Sequence, residues 1–320
     1  MAEKIDPSQR LSQLSADKRS LLEKLIRKGG TAAGAGSITR RESDSPTPLS
    51  YAQQRLWFLA QLEPGKPLYN ITRKFFIKGP LNVPVLEQSL DEIIRRHEIL
   101  RTTFARKDGD PVQIVHPFHA VSLSVVDLTG YEEGEREAEV ERLTASLARS
   151  PIDLERGPLF KTLLLRLGEE EHVLCLTLHH IICDAWSVGL LYSELSALYS
   201  AFAGGDSSPL AELPIQYADY ADWQRREDSA GANDEALRYW RRKLSGAPPA
   251  LELPADRPRP ADRGLSGATL GVALGGGLAR RLSELGRGAG ATTHMVLLAG
   301  FAALLSRYGG RREVVVGSPV

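Results

Sequence analysis

The sequence predicts an α/β fold, and three observations lead to it. Nearly continuous apolar runs at Leu159–Leu167 and Val173–Leu178 are typical of strands that are covered on both faces. Amphipathic helical patterns, such as Val83–His97, alternate with these runs. Hydrophobic residues at 42% and charged residues at 25% exclude a wholly disordered chain, a collagen and a coiled coil. A chain of 320 residues is long enough for two domains.

Charge and cysteine content exclude several classes of protein. Forty Lys and Arg against forty Asp and Glu leave a net charge of +0, so no nucleic-acid partner is predicted. Cys175 and Cys183 make neither a disulfide framework nor a four-ligand zinc site, which favours a reducing compartment. Charged residues near the N-terminus leave no export signal, and the apolar stretch Met295–Leu305 is shorter than the roughly 18 residues that span a bilayer. We therefore expect a cytoplasmic protein with no membrane partner.

The N-terminal region divides into a helix and a linker. Residues 1–30 have apolar residues at helical spacing, with Ser15 as a cap and Gly29-Gly30 as the stop. Two interpretations stay open: the helix docks back on its own chain, or it is a linker or docking segment for a partner. Residues 31–48 are small, polar and interrupted by proline, so they predict a flexible linker. The folded part should begin near Leu49.

The elements of the first half follow in order. Tyr69–Lys78 predicts a strand, and Val83–His97 predicts a helix with Asn82 as its cap and Pro84 in its first turn. The inward positions of that helix are Leu86, Leu90, Ile93 and Ile94. Val121–Val126 predicts a further strand, before the two apolar strands named above.

The second half continues the alternation. Ser187–Phe202 predicts a helix with Ser187 as its N-cap, and its buried stripe consists of Leu191, Leu195, Leu198 and Phe202. A Pro-rich stretch over residues 247–260 predicts a connection between two lobes. The elements expected after it are a strand at Ala268–Leu274, helices at Leu278–Arg287 and Thr292–Tyr308, and a strand at Glu313–Gly317.

The segment around residues 174–191 carries the candidate chemistry. A buried strand leads into a loop with His179, His180 and Asp184, and a helix follows at Ser187. Strand alternation sends the two histidines to opposite faces, so only one of them lines a given cavity. The helix N-terminus suits charge that develops on an oxygen, and histidine transfers protons near neutrality. The alternative is structural: hydrogen-bonded core histidines, Asp184 bracing the loop, and Ser187 only capping.

Other candidate sites are weaker. Adjacent histidines on a strand diverge, so a metal site at His179, His180 and Asp184 is disfavoured. The glycine runs Gly275–Gly277 and Gly286–Gly290 lack the full dinucleotide pattern and the Gly-Lys-Ser/Thr ending of phosphate loops. The aromatic residues Tyr217, Tyr220 and Trp223 have helical spacing, which is more typical of a core than of a stacking platform.

Four motifs in order carry a resemblance to a known family. HHIICDAWS (179–187) resembles the HHxxxDG signature of the condensation domains of nonribosomal peptide synthetases. LSYAQQRLWFL (49–59) is similar to the opening motif of that family, RHEILRTTF (96–104) to its second motif, and QYADYADW (216–223) to the motif after the histidines. ELPADRPRP (252–260) is similar to the family's sequence between lobes. The resemblance covers residues 49–320.

The resemblance implies an α/β fold of chloramphenicol-acetyltransferase type, a two-lobed pseudo-dimer with a tunnel between the lobes. The N-lobe would be residues 49–225 and the C-lobe residues 226–320, and the absence of later motifs implies a truncated second lobe. Donor and acceptor carrier proteins would deliver thioesters on phosphopantetheine arms, so the chain itself would bind no cofactor. The acceptor amine would attack the donor thioester and form an amide. Residues 1–30 would be a helical linker, or a docking segment for an upstream synthetase subunit.

Motif position assigns roles within this resemblance. His180 would be the catalytic histidine, either as the base for the ammonium or as a group that positions the amine and stabilises the tetrahedral intermediate. Asp184 would be mainly structural, paired with an arginine of the RHEILRT stretch, for which Arg101 is preferred and Arg96 is second. The opening motif is most similar to the subclass that joins an L-configured donor to an L-configured acceptor. Epimerisation domains are an alternative because they share the histidine motif, but their opening segment differs, so the opening motif of this chain disfavours them.

Three further residues complete the expected site. His179 and Ser187 would support it, and Ala185 stands where the family has glycine. Alanine keeps the backbone N–H but tolerates a left-handed conformation poorly, so this departure is mild only if the loop does not need that conformation. Two alternatives to an amide-forming enzyme remain: a non-catalytic or truncated carrier-binding module, and a stand-alone acyltransferase that uses a soluble amine or alcohol.

Overall fold

The structure of the chain is a computed structural model. It describes residues 37–41, 46–67, 69–121, 123–231, 233–247, 251–256 and 270–318. The helix predicted within residues 1–30 lies outside the described residues. The chain divides into two compact units between residues 232 and 233. The lobe boundary predicted at residue 225 instead falls inside a helix that spans Tyr217–Ser229.

The described residues of the first unit form two sheets. Its strands are β1 (Thr47–Pro48), β2 (Asn70–Lys78), β3 (Thr102–Lys107), β4 (Asp110–Val115), β5 (Ser124–Asp127), β6 (Phe160–Arg166) and β7 (Glu171–His179). The larger sheet has the order β2-β7-β6-β5, and the smaller has the order β1-β4-β3. All pairs are antiparallel except β5 with β6, which is parallel. The sheet strands predicted from the apolar runs are therefore confirmed.

Five helices accompany these sheets in the part of the first unit that the structure describes. They are α1 (Tyr51–Leu62), α2 (Val83–Arg96), α3 (Glu133–Arg149), α4 (Ala185–Ala203) and α5 (Tyr217–Ser229), with a 3-10 turn at Glu98–Arg101 after α2. Helix α2 begins as predicted, because the Asn82 side chain accepts a hydrogen bond from the Val85 N–H at 3.3 Å. All four predicted inward positions of α2 are buried, which confirms its apolar face.

The larger sheet is covered on both faces, which explains its continuous apolar strands. The main core includes residues of α1, α2 and α4 together with Leu164, Leu174, Leu176 and Leu178 of the sheet. A smaller cluster on the other side unites Val140 of α3 with alternate residues of β6 and β7. Its sheet members are Leu163, Leu165, Val173 and Cys175. The two faces of β7 therefore belong to two separate clusters, as strand alternation requires.

The hairpin β3–β4 and helix α3 were not predicted from the sequence. The hairpin turns at Asp108 and Gly109, both with positive φ, and Asp-Gly is a residue pair that favours such turns. Helix α3 has only Val140 and Thr144 buried among many charges. Its apolar stripe is too narrow to stand out in the sequence, because the helix lies at the edge of the core.

The expected flexible linker is ordered in part. Thr47 and Pro48 form β1 and pair with Gln113 and Val112 of β4. Arg41 lies further upstream, and its side chain is buried against acidic residues of the first unit. The folded part therefore begins before Leu49, because backbone pairing and a buried charge hold residues whose composition is that of a linker.

The second unit contains α6 (Asp234–Lys243), α7 (Gly276–Gly288) and α8 (Thr293–Gly309). The last two confirm the predicted helices. The predicted strands are wrong where residues 270–274 and 313–317 are described, since no described part of this unit offers them a ladder partner. Among the described helices none alone has the length and apolarity of a membrane span. Helices α7 and α8 have that length and apolarity only when they are taken together, and the pair is bent by 103°.

Candidate active site

The two histidines of the signature have opposite environments. His179, the last residue of β7, is buried, and its Nδ1 accepts a hydrogen bond from the Ile181 N–H at 3.1 Å. His180 is exposed, and its backbone N–H donates to Tyr69 O at 2.8 Å. This bond extends the β2–β7 ladder by one residue. His179 therefore braces the loop while His180 is accessible, which agrees with the alternation expected from the sequence.

Asp184 caps helix α4. Its Oδ1 accepts hydrogen bonds from the Ser187 N–H at 2.7 Å and from the Ser187 hydroxyl at 2.6 Å. These bonds to Ser187 lower the pKa of Asp184, and the nearby charge of His180 lowers it further. The prediction of Ser187 as the N-cap is wrong, because the helix begins at Ala185. Ser187 is the residue whose N–H is capped.

The expected ion pair between Asp184 and an arginine is not formed in the described structure. The Arg101 guanidinium donates to His116 O and lies 4.0 Å from Glu98 Oε1. Arg96 pairs with Glu194, with Nε 3.3 Å from Oε1. Both arginines are thus neutralised by acids nearer to them, while the negative charge of Asp184 meets the N-terminus of α4.

Ala185 occupies an ordinary helical position. It is the first residue of α4, and the described non-glycine residues with positive φ are Tyr69 and Asp108 only. The loop therefore does not need the left-handed conformation that glycine favours. The replacement of the family's glycine by alanine introduces no backbone strain here.

The surface of α4 next to His180 is apolar. Trp186 is 85% exposed, and Leu190 and Tyr192 are exposed as well. The Tyr192 ring stacks on Phe75 of β2 with 5.5 Å between centroids. The sole charged residue of α4, Glu194, is buried, so the exposed part of this helix carries no charge.

The motif of α5 lies close to the histidine loop. The Tyr217 hydroxyl is 3.0 Å from Ser50 Oγ, and Ser50 is the N-cap of α1. Burial raises the pKa of Tyr217, and the negative charge of Asp184 contributes to the same rise. The rings of Tyr217, Tyr220 and Trp223 contact one another in sequence, with centroids 5.5 and 5.9 Å apart. They form an aromatic cluster at the surface rather than the core that their spacing predicts, because Tyr217 is exposed and Tyr220 and Trp223 are half-buried.

Sequence reasoning missed a buried ionic network behind this site. Arg41 Nη2 is 2.6 Å from Glu98 Oε2, and Arg41 Nη1 is 3.1 Å from Asp219 Oδ1. Gln216 of the fourth motif also binds the backbone of the second motif. Its Oε1 accepts a hydrogen bond from the Glu98 N–H at 3.1 Å, and its Nε2 donates one to Arg96 O at 2.9 Å. Two acidic residues inside the motifs, Glu98 in the second and Asp219 in the fourth, could have indicated this network. The sequence around Arg41 has the composition of a linker, so it gave no reason to expect a buried cation there.

The cysteines belong to the core. Both Cys175 and Cys183 are free and buried. Burial raises the pKa of Cys183 to about 12, so its thiol is protonated and is a poor nucleophile. In the part of the chain that the structure describes, no three His, Cys, Asp or Glu side chains are grouped as metal ligands.

Comparison with known proteins identifies the class. The family model of the condensation domain matches residues 44–320. The chain therefore belongs to the condensation-domain family, and it has the chloramphenicol-acetyltransferase-like fold that the motifs predict. It is 48% identical to one of the linear gramicidin synthase subunits of Brevibacillus parabrevis over 85% of this chain. It is 43% identical to phosphinothricin tripeptide synthetase PhsC of Streptomyces viridochromogenes over 98% of this chain.

Solved structures agree with this assignment. The X-domain from teicoplanin biosynthesis is 31% identical, with a TM-score of 0.75 over 86% of this chain and 60% of that chain. The first condensation domain of the calcium-dependent antibiotic synthetase, solved with a substrate analogue, is 27% identical, with a TM-score of 0.67 over 85% of this chain and 63% of that chain. The chain spans 5% of that gramicidin synthase protein and 29% of PhsC. What those whole proteins do extends to this chain as a proposal.

Proposed function

We propose that this chain catalyses peptide-bond formation between a donor acyl or peptidyl thioester and an aminoacyl acceptor, both held on carrier proteins. The observation that carries the proposal is the exposed His180 at the end of β7, placed by the buried His179 and followed at once by the capped N-terminus of α4. Membership of the condensation-domain family supports the same reaction.

The reaction balances without a cofactor. The acceptor amine attacks the donor thioester carbonyl, a C–N bond forms, the C–S bond breaks, and the thiol stays on the donor phosphopantetheine arm. One proton leaves the attacking nitrogen and one reaches the sulfur. His180 is the candidate to accept the first proton or to orient the amine, because imidazole exchanges protons near neutral pH. The supporting residues are His179, Asp184 and Ser187, which fix the loop that carries His180.

The partners in this proposal are donor and acceptor carrier proteins, and an upstream synthetase subunit that docks through residues 1–30. The donor and the acceptor are both L-configured, as the opening motif suggests. We place the protein in the cytoplasm, where synthetases find their amino acids. The name tripeptide synthetase of one relative supports peptide synthesis as the reaction.

The test is a condensation assay with the full-length protein. Donor and acceptor carrier proteins are loaded with different aminoacyl groups, and the mass of the acceptor is followed. We expect His180→Ala to slow product formation by about 100-fold or more, in line with the loss of acid–base catalysis. His119→Ala is the matched control, since His119 is exposed outside the site. An unchanged rate in His180→Ala would refute the assignment of His180.

A second candidate is a non-catalytic binding module. One relative, the X-domain from teicoplanin biosynthesis, has been solved in complex with OxyB, a different protein. This candidate predicts that the full-length protein binds a loaded carrier protein with equal affinity before and after His180→Ala and forms no product. A stand-alone acyltransferase would instead acylate a soluble amine or alcohol when no acceptor carrier protein is present.

A further inference from the structure

Arg73 is a cation within an apolar row. It lies on β2 between Ile71 and Phe75, and by strand alternation all three share one face of the sheet. Ile71 and Phe75 pack against the main core, whereas Arg73 is exposed. An apolar side chain at this position could have added to the core, whereas Arg73 places an exposed positive charge next to it.

Contacts on either side of Arg73 place it along α4. Phe75 stacks on Tyr192, and downstream the Asn82 N–H donates to the Tyr199 hydroxyl at 2.8 Å. The chain from β2 to Asn82 and helix α4 thus run in the same direction. Upstream of Arg73, Tyr69 O accepts the hydrogen bond of the His180 N–H. Along the common direction of β2 and α4, Arg73 therefore lies between His180 and Tyr192.

The geometry of strand and helix gives the position more closely. Two strand residues span about 6.7 Å, which is the rise of about four helical residues. Arg73 precedes Phe75 by two residues, so it is level with the residues about one turn before Tyr192, near Gly189. A Cβ added at Gly189 would meet no atom within 4 Å, so the space beside α4 is open there.

The charge of Arg73 is not compensated within the described chain. No described carboxylate forms an ion pair with it, and its Nη1 donates to the adjacent Thr72 O at 3.0 Å. The acids of α4 and of its cap have other partners: Asp184 accepts from Ser187, and Glu194 pairs with Arg96. Burial raises the pKa of Cys183, and the positive charge of Arg73 opposes that rise, so Arg73 acts on the loop that follows His180.

We propose that Arg73 binds an anionic group of a substrate whose thioester or amine lies at His180. The proposal rests on the proposed function and names a class of ligand for the same site: a phosphate or a carboxylate. A guanidinium binds either group through two parallel hydrogen bonds. The exposed apolar residues Trp186, Leu190 and Tyr192 offer uncharged surface for the rest of the same molecule. Arg73 is thus a specificity-determining residue, and its anion is either the phosphate of a phosphopantetheine arm or an acidic side chain of a joined amino acid.

The experiment separates the two sources in the full-length protein. Condensation kinetics are compared for Arg73→Gln, Arg73→Lys and the control Arg156→Gln, whose arginine is exposed in a loop of the first unit. One arm pairs glutamyl with glutaminyl substrates on the same carrier protein. The other pairs a carrier-bound aminoacyl group with the same group on N-acetylcysteamine, which has no phosphate.

We expect Arg73→Gln to raise KM by about tenfold or more for one member of a pair and not for the other, in one of the two arms only, because a charge-assisted hydrogen bond is lost. An increase confined to glutamyl substrates identifies the carboxylate, and one confined to carrier-bound substrates identifies the phosphate. Arg73→Lys should retain part of the effect, and Arg156→Gln should change nothing. Equal changes for all substrates, or none, would overturn the proposal.

A binding measurement keeps this test separate from the proposed function. If the wild-type protein forms no product, the proposed function fails, and calorimetric titration with phosphopantetheine, pantetheine, glutamate and glutamine still tests Arg73. We expect the wild-type protein to prefer the anionic member of one pair and Arg73→Gln to lose that preference. Equal affinities for both members of both pairs in the wild-type protein would refute the anion site.

Discussion

Arg41 Nη1 lies 3.1 Å from Asp219 Oδ1, and the Asp219 side chain is fully buried. The Arg41 backbone N–H donates to the same oxygen at 3.1 Å, and the second Asp219 oxygen accepts from the Gln216 N–H at 2.7 Å. A residue upstream of the first motif therefore neutralises a carboxylate inside the last motif of the first unit. Because Arg41 also pairs with Glu98, it joins the second and fourth motifs through one side chain.

Replacing Arg41 should destabilise the protein strongly. Arg41→Gln leaves the buried carboxylate of Asp219 without its cation, which costs about 3–5 kcal/mol for a buried ion pair that loses one partner. Denaturant unfolding, followed by circular dichroism, measures the change in free energy of unfolding. The double variant Arg41→Gln/Asp219→Asn should recover part of the loss, because the fully buried carboxylate is then removed, while Glu98 keeps Arg101 at 4.0 Å.

The neighbouring Arg40 provides the control. Its side chain is 66% exposed and lies 3.9 Å from Glu98, so Arg40→Gln should change the free energy of unfolding by less than about 1 kcal/mol. If Arg40→Gln and Arg41→Gln were equally destabilising, the buried network would not be the cause.

Glu194 should be a second position of high sensitivity. It is the one charge in α4, and it meets both Arg96 at 3.3 Å and His97 Nε2 at 2.6 Å. Glu194→Gln leaves the buried guanidinium of Arg96 without a carboxylate, and we expect a loss of about 3 kcal/mol in thermal or denaturant unfolding. The matched change is Glu212→Gln, because Glu212 pairs with Arg95 at a 72% exposed position. A comparable loss in that control would contradict the expectation.

Asp184 should be less important for stability than the family resemblance implied. Since it caps α4 and forms no ion pair with Arg101 or Arg96 among the described residues, Asp184→Ala should cost about 1 kcal/mol and leave a cooperatively folded protein. Asp184→Asn should cost less, because asparagine also caps helices. Thermal unfolding measures both, and loss of folded protein in Asp184→Ala would restore a bracing role.

The cap also predicts a pH dependence. The pKa of Asp184 is lowered in the folded protein by its hydrogen bonds to Ser187. Its stabilising contribution is therefore fully present above the ordinary pKa of about 4 and is lost as pH falls through the lower folded value. The stability of wild-type protein relative to Asp184→Asn should decrease from pH 6 to pH 2.5. A constant difference across that interval would exclude the contribution of the ionised carboxylate.

Cys183 should resist alkylation in the native protein. Its pKa of about 12, against an ordinary value of 9.0, lowers the fraction of thiolate about 1000-fold near neutral pH. We expect iodoacetamide at pH 8 to label it, by peptide mass spectrometry, at least about 100-fold more slowly in native buffer than in denaturant. Labelling at the denatured rate in native buffer would show that the thiol is accessible and ionisable.

Much of the larger sheet and its helices followed from sequence patterns. The apolar runs of β6 and β7, the inward residues of α2, and the exposure of only one signature histidine are local consequences of periodicity. Helix α3 was missed because its apolar stripe is narrow and lies at the edge of the core. The hairpin β3–β4 was missed because its buried residues, apart from Phe104, are polar: Thr102, Thr103 and Gln113. The predicted strands failed where residues 270–274 and 313–317 are described, because a strand needs a hydrogen-bonded neighbour, which periodicity alone does not supply.

The sequence by itself determined the family, the α/β class and the position of His180, because these depend on short motifs and on the periods of single elements. Only the tertiary structure decided the charge partners. Arg41, Glu98 and Asp219 meet across large separations in the chain, and the arginines expected at Asp184 bind other groups instead. Ion pairs depend on distance in space and on burial, and neither quantity is local in the sequence.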